Sequence, residues 1–219
     1  MRWTHVGPPI AVVTGASSGI GEAIARRVSA DGMRVVLLAR RADRLQVLAR
    51  EIGGVAMPVD LSSESAVATV CRRILDEVGV PDVVVNNAGS GRFVSIDETE
   101  PGEAQAQVTL PYLAAFWVTL GLLGPMLERG TGVVFQVNSP VAVVPWPGAA
   151  ERVPKVEALV GTMTPEQVAD AVATCLRHRA NRDSHAPWRW ALIAPLARVS
   201  PGAVGWLFRL TGHRRSGRG

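Results

Sequence analysis

At 219 residues, 47% of them apolar, the chain can bury one sizeable core, and its strand-length apolar runs, such as 11–14 and 83–85, argue against a membrane span, as do the polar interruptions of the run 111–126. The N-terminus carries one positive charge but leads straight into a strand, which argues against a secretion signal, and Cys71 and Cys175 lie in separate helical patterns, so reduced thiols are expected, with neither a disulfide nor a metal site. The net charge of +4 is a property of the tail: residues 176–219 hold nine arginines against Asp183 alone, and the remainder is net acidic.

In chain order, short β-branched runs alternate with longer amphipathic stretches, a pattern that predicts βαβ units and a parallel sheet. Strands are expected at 10–14, 34–38, 55–59, 82–85 and 132–137, with helices at 19–30, 42–52, 63–78 and 103–129 between them. Turn residues fall where these helices should end: Asp31-Gly32, Gly53-Gly54, Gly79 with Pro81, and Gly130 with Gly132. After 137 the regularity stops among Pro140, Pro145, Pro147, Gly148 and Pro154. Thr164-Pro165-Glu166 then announces a helix running to about Arg179, with Thr164 as N-cap and Pro165 in the first turn. There is no internal repeat and no low-complexity segment.

The motif with the most chemistry is Thr14-Gly15-Ala16-Ser17-Ser18-Gly19-Ile20-Gly21, which follows the first strand directly and opens the first helix. In that position Gly15 permits the turn out of the strand, Gly19 lets backbone approach a pyrophosphate, and Gly21 lets the helix pack on the sheet. The helix N-terminus offers free N–H groups and positive dipole to phosphates, and the Ser17 and Ser18 hydroxyls can add donors.

This motif resembles the cofactor loop of the short-chain dehydrogenase/reductase family, and three further segments carry the resemblance through 10–148. Asp60-Leu61 resembles the family's aspartate that bonds the adenine amine. Asn86-Asn87-Ala88-Gly89 resembles the segment that lines the cofactor pocket, with Asn87, Ala88 and Gly89 as binding residues. Gly132 to Ser139 resembles the fifth strand ending in the catalytic serine, Ser139. The resemblance implies a single Rossmann-type, doubly wound parallel α/β domain over 1–179, truncated relative to the family, followed by a basic, Trp-containing segment at 180–219. At the end of the second strand, Ala39-Arg40-Arg41 stands where NAD-preferring relatives carry an acidic residue. Arg40 can instead pair with a 2′-phosphate, so NADP is expected ahead of NAD; a solvated helix-start pair is the alternative.

The resemblance breaks at the catalytic helix. The family's tyrosine moves a proton to or from the substrate oxygen, and a lysine one helical turn later binds the nicotinamide ribose and lowers the tyrosine pKa. The corresponding window here is Ala150, Glu151 and Arg152; the one tyrosine of the chain, Tyr112, lies on an earlier helix, and Thr109 replaces the asparagine that holds a relay water. Lys155 follows Glu151 at helical spacing, but Pro154 disfavours a helix that would align the two. Residues 154–179 instead resemble the family's late segment, so an internal deletion is expected at 150/151, removing the catalytic helix, the sixth strand and the substrate loop. An apolar fifth strand left at the sheet edge is an association hazard, and the family dimer loses one of its helices.

The expected function is thus an NAD(P)-dependent oxidoreductase interconverting a small-molecule carbonyl and an alcohol, impaired in this chain; the alternative is a non-catalytic NADP(H)-binding relative. The tail carries Trp188, Trp190 and Trp206 among arginines and prolines. It is expected to be a final strand, with Trp190–Ile193, and a covering helix; weak contact with an anionic membrane surface is the second reading, and nucleic-acid binding is not expected. A cytoplasmic location, with that peripheral contact as an option, follows.

Overall fold

The computed structural model describes residues 7–89, 100–138, 152–153, 163–178 and 213–214. Five strands, β1 (Ile10–Thr14), β2 (Arg34–Ala39), β3 (Val55–Pro58), β4 (Val83–Asn86) and β5 (Val133–Gln136), form a parallel sheet in the order β3-β2-β1-β4-β5. Ala11 of β1 lies opposite Val35 of β2 on one side and Val83 of β4 on the other, and Val83 is opposite Val133 of β5. The helices α1 (Gly19–Ala30), α2 (Ala42–Ile52) and α3 (Glu64–Glu77) connect the first four strands. Each boundary lies within one residue of the expectation, because Gly and Pro punctuate the chain wherever the hydrophobic period changes.

Both sheet faces are covered, which is why the central strands read as continuous apolar runs rather than alternating ones. Val13, Leu37 and Val85 point to the face packed by Ile24 and Val28 of α1 and Leu45 and Leu48 of α2. Val12, Val36, Leu38 and Val84 point to the opposite face, against Val67, Cys71 and Ile74 of α3. At the amino ends of the strands, the buried Asp82 accepts from the Ile10 N–H at 2.7 Å and pairs with Arg129 at 3.4 Å. Arg129 also donates to the carbonyls of Val80 at 2.8 Å and Pro81 at 2.6 Å, so one guanidinium fastens the end of a helix to the entry of β4.

The single helix expected over 103–129 is instead interrupted. The chain runs through α4 (Pro101–Val108), a π-helical turn at Thr109–Leu113, and α5 (Ala114–Arg129). Pro111 explains the change: it has no N–H for an α-helical bond and its ring crowds the preceding turn, so the ladder widens and the Ala114 N–H reaches back to the Thr109 carbonyl. A second correction concerns the same stretch, because Gln105–Arg129 is long and apolar enough, by length and composition, to cross a membrane. In the structure one of its faces is a core face: Ala114, Val118, Leu122 and Met126 are buried against α3 and the sheet, while Tyr112, Phe116, Leu120 and Leu127 are exposed.

A sixth helix, α6 (Pro165–His178), starts at the expected Thr164-Pro165 signal and buries Ala169, Val172 and Leu176 in the core that α1 covers. Arg27 of α1 pairs with Asp170 of α6, and Arg177 with Asp31 at 3.5 Å. The chain divides into two compact units: Met1–Val94, Thr99–Val137 and Pro165–Ala180 make the first, and Ser95–Glu98, Asn138–Thr164 and Asn181–Gly219 the second. The second contains an antiparallel two-residue pair, β6 (Arg152–Val153) with β7 (His213–Arg214). The expected strand at 190–193 lies outside the described residues.

Candidate functional site

The sheet order reverses at β1: the chain leaves it outward to β2 and β3, then returns to the other side for β4 and β5. In such sheets a crevice opens beyond the carboxyl ends of the two strands flanking the reversal. Here those ends are Thr14 and Asn86, and the segments following them touch.

Thr14 makes the contact. Its hydroxyl accepts from the backbone N–H groups of Asn87 and Ala88, both at 2.9 Å, and lies 3.4 Å from the Val85 carbonyl, to which it donates. The Asn87 side-chain amide returns the link, donating to the Thr14 carbonyl at 3.1 Å. The Gly15 N–H donates to the Leu38 carbonyl of β2 at 2.8 Å. So close an approach requires the glycines. Gly15 has φ +68°, and a Cβ there would stand 2.9 Å from Ala88 Cα; at Gly21 a Cβ would stand 2.5 Å from Asn87 Nδ2 and strike the Gly15 carbonyl. Asn86 is buried at β4's end and donates to the Thr119 hydroxyl on α5 at 2.9 Å.

Ser18 is the N-cap of α1, with extended backbone, yet its side chain makes no capping bond. The first-turn N–H groups of Gly19, Ile20 and Gly21 therefore lack a side-chain cap and stand at the positive end of the helix dipole. The hydroxyl is engaged elsewhere. Arg41 donates to Ser18 Oγ at 2.6 Å, to Ser17 Oγ at 2.9 Å and to the Ser17 carbonyl at 3.3 Å. The sequence assigned the binding role to Arg40, yet the arginine that touches the glycine loop is Arg41. No spacing rule reveals that contact, because it crosses from the β2–α2 turn to the β1–α1 turn; the signal was only that two arginines stand together after a strand. Arg40 is exposed, and its charge acts on Asp60.

Asp60 follows β3 and is exposed. Its carboxylate accepts from the Ser62 hydroxyl at 2.7 Å and the Ser62 N–H at 3.0 Å; these bonds, with a smaller contribution from Arg40, hold it below the usual carboxylate range. Leu61 is buried in the core at 3% exposure. Gly89 is exposed, and the space where its Cβ would stand is bounded by Pro111 of the π turn at 3.8 Å. Thr109 is half-buried and Tyr112 exposed on that turn. Ser139, Lys155 and the window Ala150–Glu151 lie outside the described residues. No group of three or more His, Cys, Asp or Glu that could hold a metal occurs among the described residues.

The family model for short chain dehydrogenase matches residues 9–151. An uncharacterized oxidoreductase of Mycobacterium tuberculosis is 41% identical over 141 residues, which cover 64% of this chain and 55% of the relative. The chain spans about half the length of the curated relatives it matches, 47% and 50% in two further cases. Among solved structures, an alcohol dehydrogenase from Thermococcus sibiricus complexed with 5-hydroxy-NADP superposes with a TM-score of 0.66 at 26% identity, covering 77% of this chain and 90% of that one. A metagenomic short-chain oxidoreductase in complex with NADP gives a TM-score of 0.64 at 29% identity, with the same coverages.

Proposed function

The chain belongs to the short-chain dehydrogenase family, and from that premise we propose that it binds NADP(H) beyond the carboxyl ends of β1, β2 and β4 and derives from enzymes that interconvert a carbonyl and an alcohol. The observation that carries the reading is the glycine cradle: Gly15 and Gly21 leave no room for a side chain, and the first turn of α1 keeps its N–H groups free of a side-chain cap. A pyrophosphate fits that arrangement, since it needs close backbone approach and several convergent N–H donors. Two arginines and no carboxylate at 39–41 favour a 2′-phosphate over a free ribose hydroxyl. Arg40 is the proposed reader of that phosphate. Asp60 accepts from the adenine amine, and Asn87, Ala88 and Gly89 wall the crevice on the β4 side. NADP-bound structural relatives support the same cofactor.

When bound, the nicotinamide supplies or accepts a hydride. The chain's own residues then have to orient the substrate oxygen and move one proton. Ser139 is the proposed orienting residue, but the tyrosine position is empty and Thr109 offers no amide to hold a relay water. Turnover is therefore expected to be negligible, and the same facts favour the second reading, a nucleotide-binding relative without catalysis.

Fluorescence titration with NADPH and NADH, followed by a panel of aldehydes and ketones, separates these readings. The expected result is tighter binding of NADPH than NADH with no substrate-dependent oxidation. Rapid oxidation would show that another group replaces the tyrosine. Binding of neither nucleotide would remove the proposal altogether.

A further inference from the structure

The glycine loop presents an inconsistency that a function for Arg41 resolves. Ser is among the strongest N-capping residues, and Ser18 occupies the N-cap of α1 in the extended conformation that capping uses. Its hydroxyl nevertheless caps nothing and accepts from Arg41 at 2.6 Å. In a regular N-cap such a hydroxyl accepts from the N–H two or three residues on, here that of Ile20 or Gly21. Those N–H groups belong to the set that an anion at the helix start requires. A capped α1 and an anion-binding α1 are therefore competing states of the same few atoms.

We infer that Arg41 is a positioning residue: by holding the Ser17 and Ser18 hydroxyls, it prevents Ser18 from capping α1 and keeps the first-turn N–H groups available to a dinucleotide phosphate. The inference rests on the nucleotide-binding reading above and assigns a task within it. Arg41 is suited to the task by geometry. It is itself the N-cap of α2, its carbonyl accepts from the Leu45 N–H at 3.1 Å, and its backbone is thus fixed by that helix. The guanidinium presents several donors in a rigid fork, and here Nη2 reaches both hydroxyls and the Ser17 carbonyl while Nε lies 3.2 Å from Ser17 Oγ. Ser17 is 7% exposed, so one of the two hydroxyls that the fork holds is buried, while Ser18 and Arg41 are exposed. Arg40, by contrast, makes no such contact with the loop, and its charge is directed to Asp60. The two adjacent arginines divide the work: Arg40 discriminates between nucleotides, and Arg41 holds the loop for either of them.

This division is read by a double-mutant cycle on the full chain. Arg41→Ala is expected to weaken NADPH and NADH equally, by about fivefold, the ratio corresponding to a cap worth roughly 1 kcal/mol. In a Ser18→Ala background the same substitution is expected to have no further effect, because no capping hydroxyl remains to be released. Arg40→Ala is expected to weaken NADPH alone. In the nucleotide-free protein, amide hydrogen exchange at Ile20 or Gly21 should slow in Arg41→Ala, and this slowing should vanish in the double variant. Selective loss of NADPH in Arg41→Ala, or an undiminished loss in the Ser18→Ala background, would overturn the inference. If the unsubstituted chain binds neither nucleotide, the nucleotide reading fails, and unchanged amide exchange in Arg41→Ala would still decide against the capping competition.

Discussion

At the scale of single residues, the site is governed by what two side chains leave out and one serine pair puts in. Gly21→Ala places a Cβ against the Gly15 carbonyl and 2.5 Å from the Asn87 amide, atoms of backbone and of a hydrogen-bonded side chain that cannot yield cheaply. We predict loss of nucleotide binding and destabilisation by about 1–3 kcal/mol, the range for overpacked positions, measurable by thermal melting alongside NADPH titration. Asp60 has its pKa lowered, so its Ser62 bonds contribute stability above the unfolded carboxyl pKa. That contribution is lost as pH falls through the lower folded value. Because the group is exposed, its effect on melting is small, and the direct observable is its titration. Ser62→Ala should move the Asp60 midpoint upward in a carboxyl NMR titration; an unmoved midpoint would assign the shift to the Ser62 backbone N–H and Arg40. Cys71, buried between α3 and α5 with its thiol pushed up to about 11, should resist alkylation in the folded protein.

At the scale of elements, α3 and α5 approach so closely that side-chain volume at one position is decisive. A Cβ at Gly121 would lie 2.9 Å from both Cβ and Sγ of Cys71. Gly121→Ala is therefore predicted to destabilise by about 1–3 kcal/mol, whereas Gly102→Ala on α4, where a Cβ meets nothing within 4 Å, should stabilise by roughly 0.5–1 kcal/mol. Chemical denaturation of the two variants tests the opposite signs. The alternation of strands and helices was legible in the sequence because each boundary carries its own local signal, such as Gly53-Gly54 after α2 or Thr164-Pro165 before α6. The π turn is not legible in the sequence, although Pro111 marks its place: a proline inside an apolar run signals a break or kink but not which ladder replaces the α-helical one. Arg41's role was hidden for a different reason. The glycine loop could be recognised because its residues are consecutive, but the fork that holds it comes from another strand-to-helix turn, and only the parallel pairing of β1 with β2 brings the turns together.

At the scale of the whole molecule, the described sheet stops at β5, whose residues Val133, Val134 and Phe135 are half-buried. α6 is joined to this first unit across the stretch where the family match ends, and it still packs against α1. Leu176, 3% exposed in the shared core, reports whether that docking contributes to stability: Leu176→Ala should cost about 2–5 kcal/mol in a urea titration if α6 folds with the sheet. A loss within experimental error would mean that α6 docks without contributing to the cooperative unit.

The Thr14 hydroxyl joins residues that are 73 and 74 positions apart along the chain. A pocket stapled across such a distance cannot form from local structure alone; it exists only after β1, β2 and β4 have paired, late in the search for the native state. A ligand that recognises the pocket consequently has nothing to hold during most of that search. NADPH added to a refolding reaction should leave the folding rate unchanged and slow unfolding instead, so its benefit to the chain would be persistence rather than guidance.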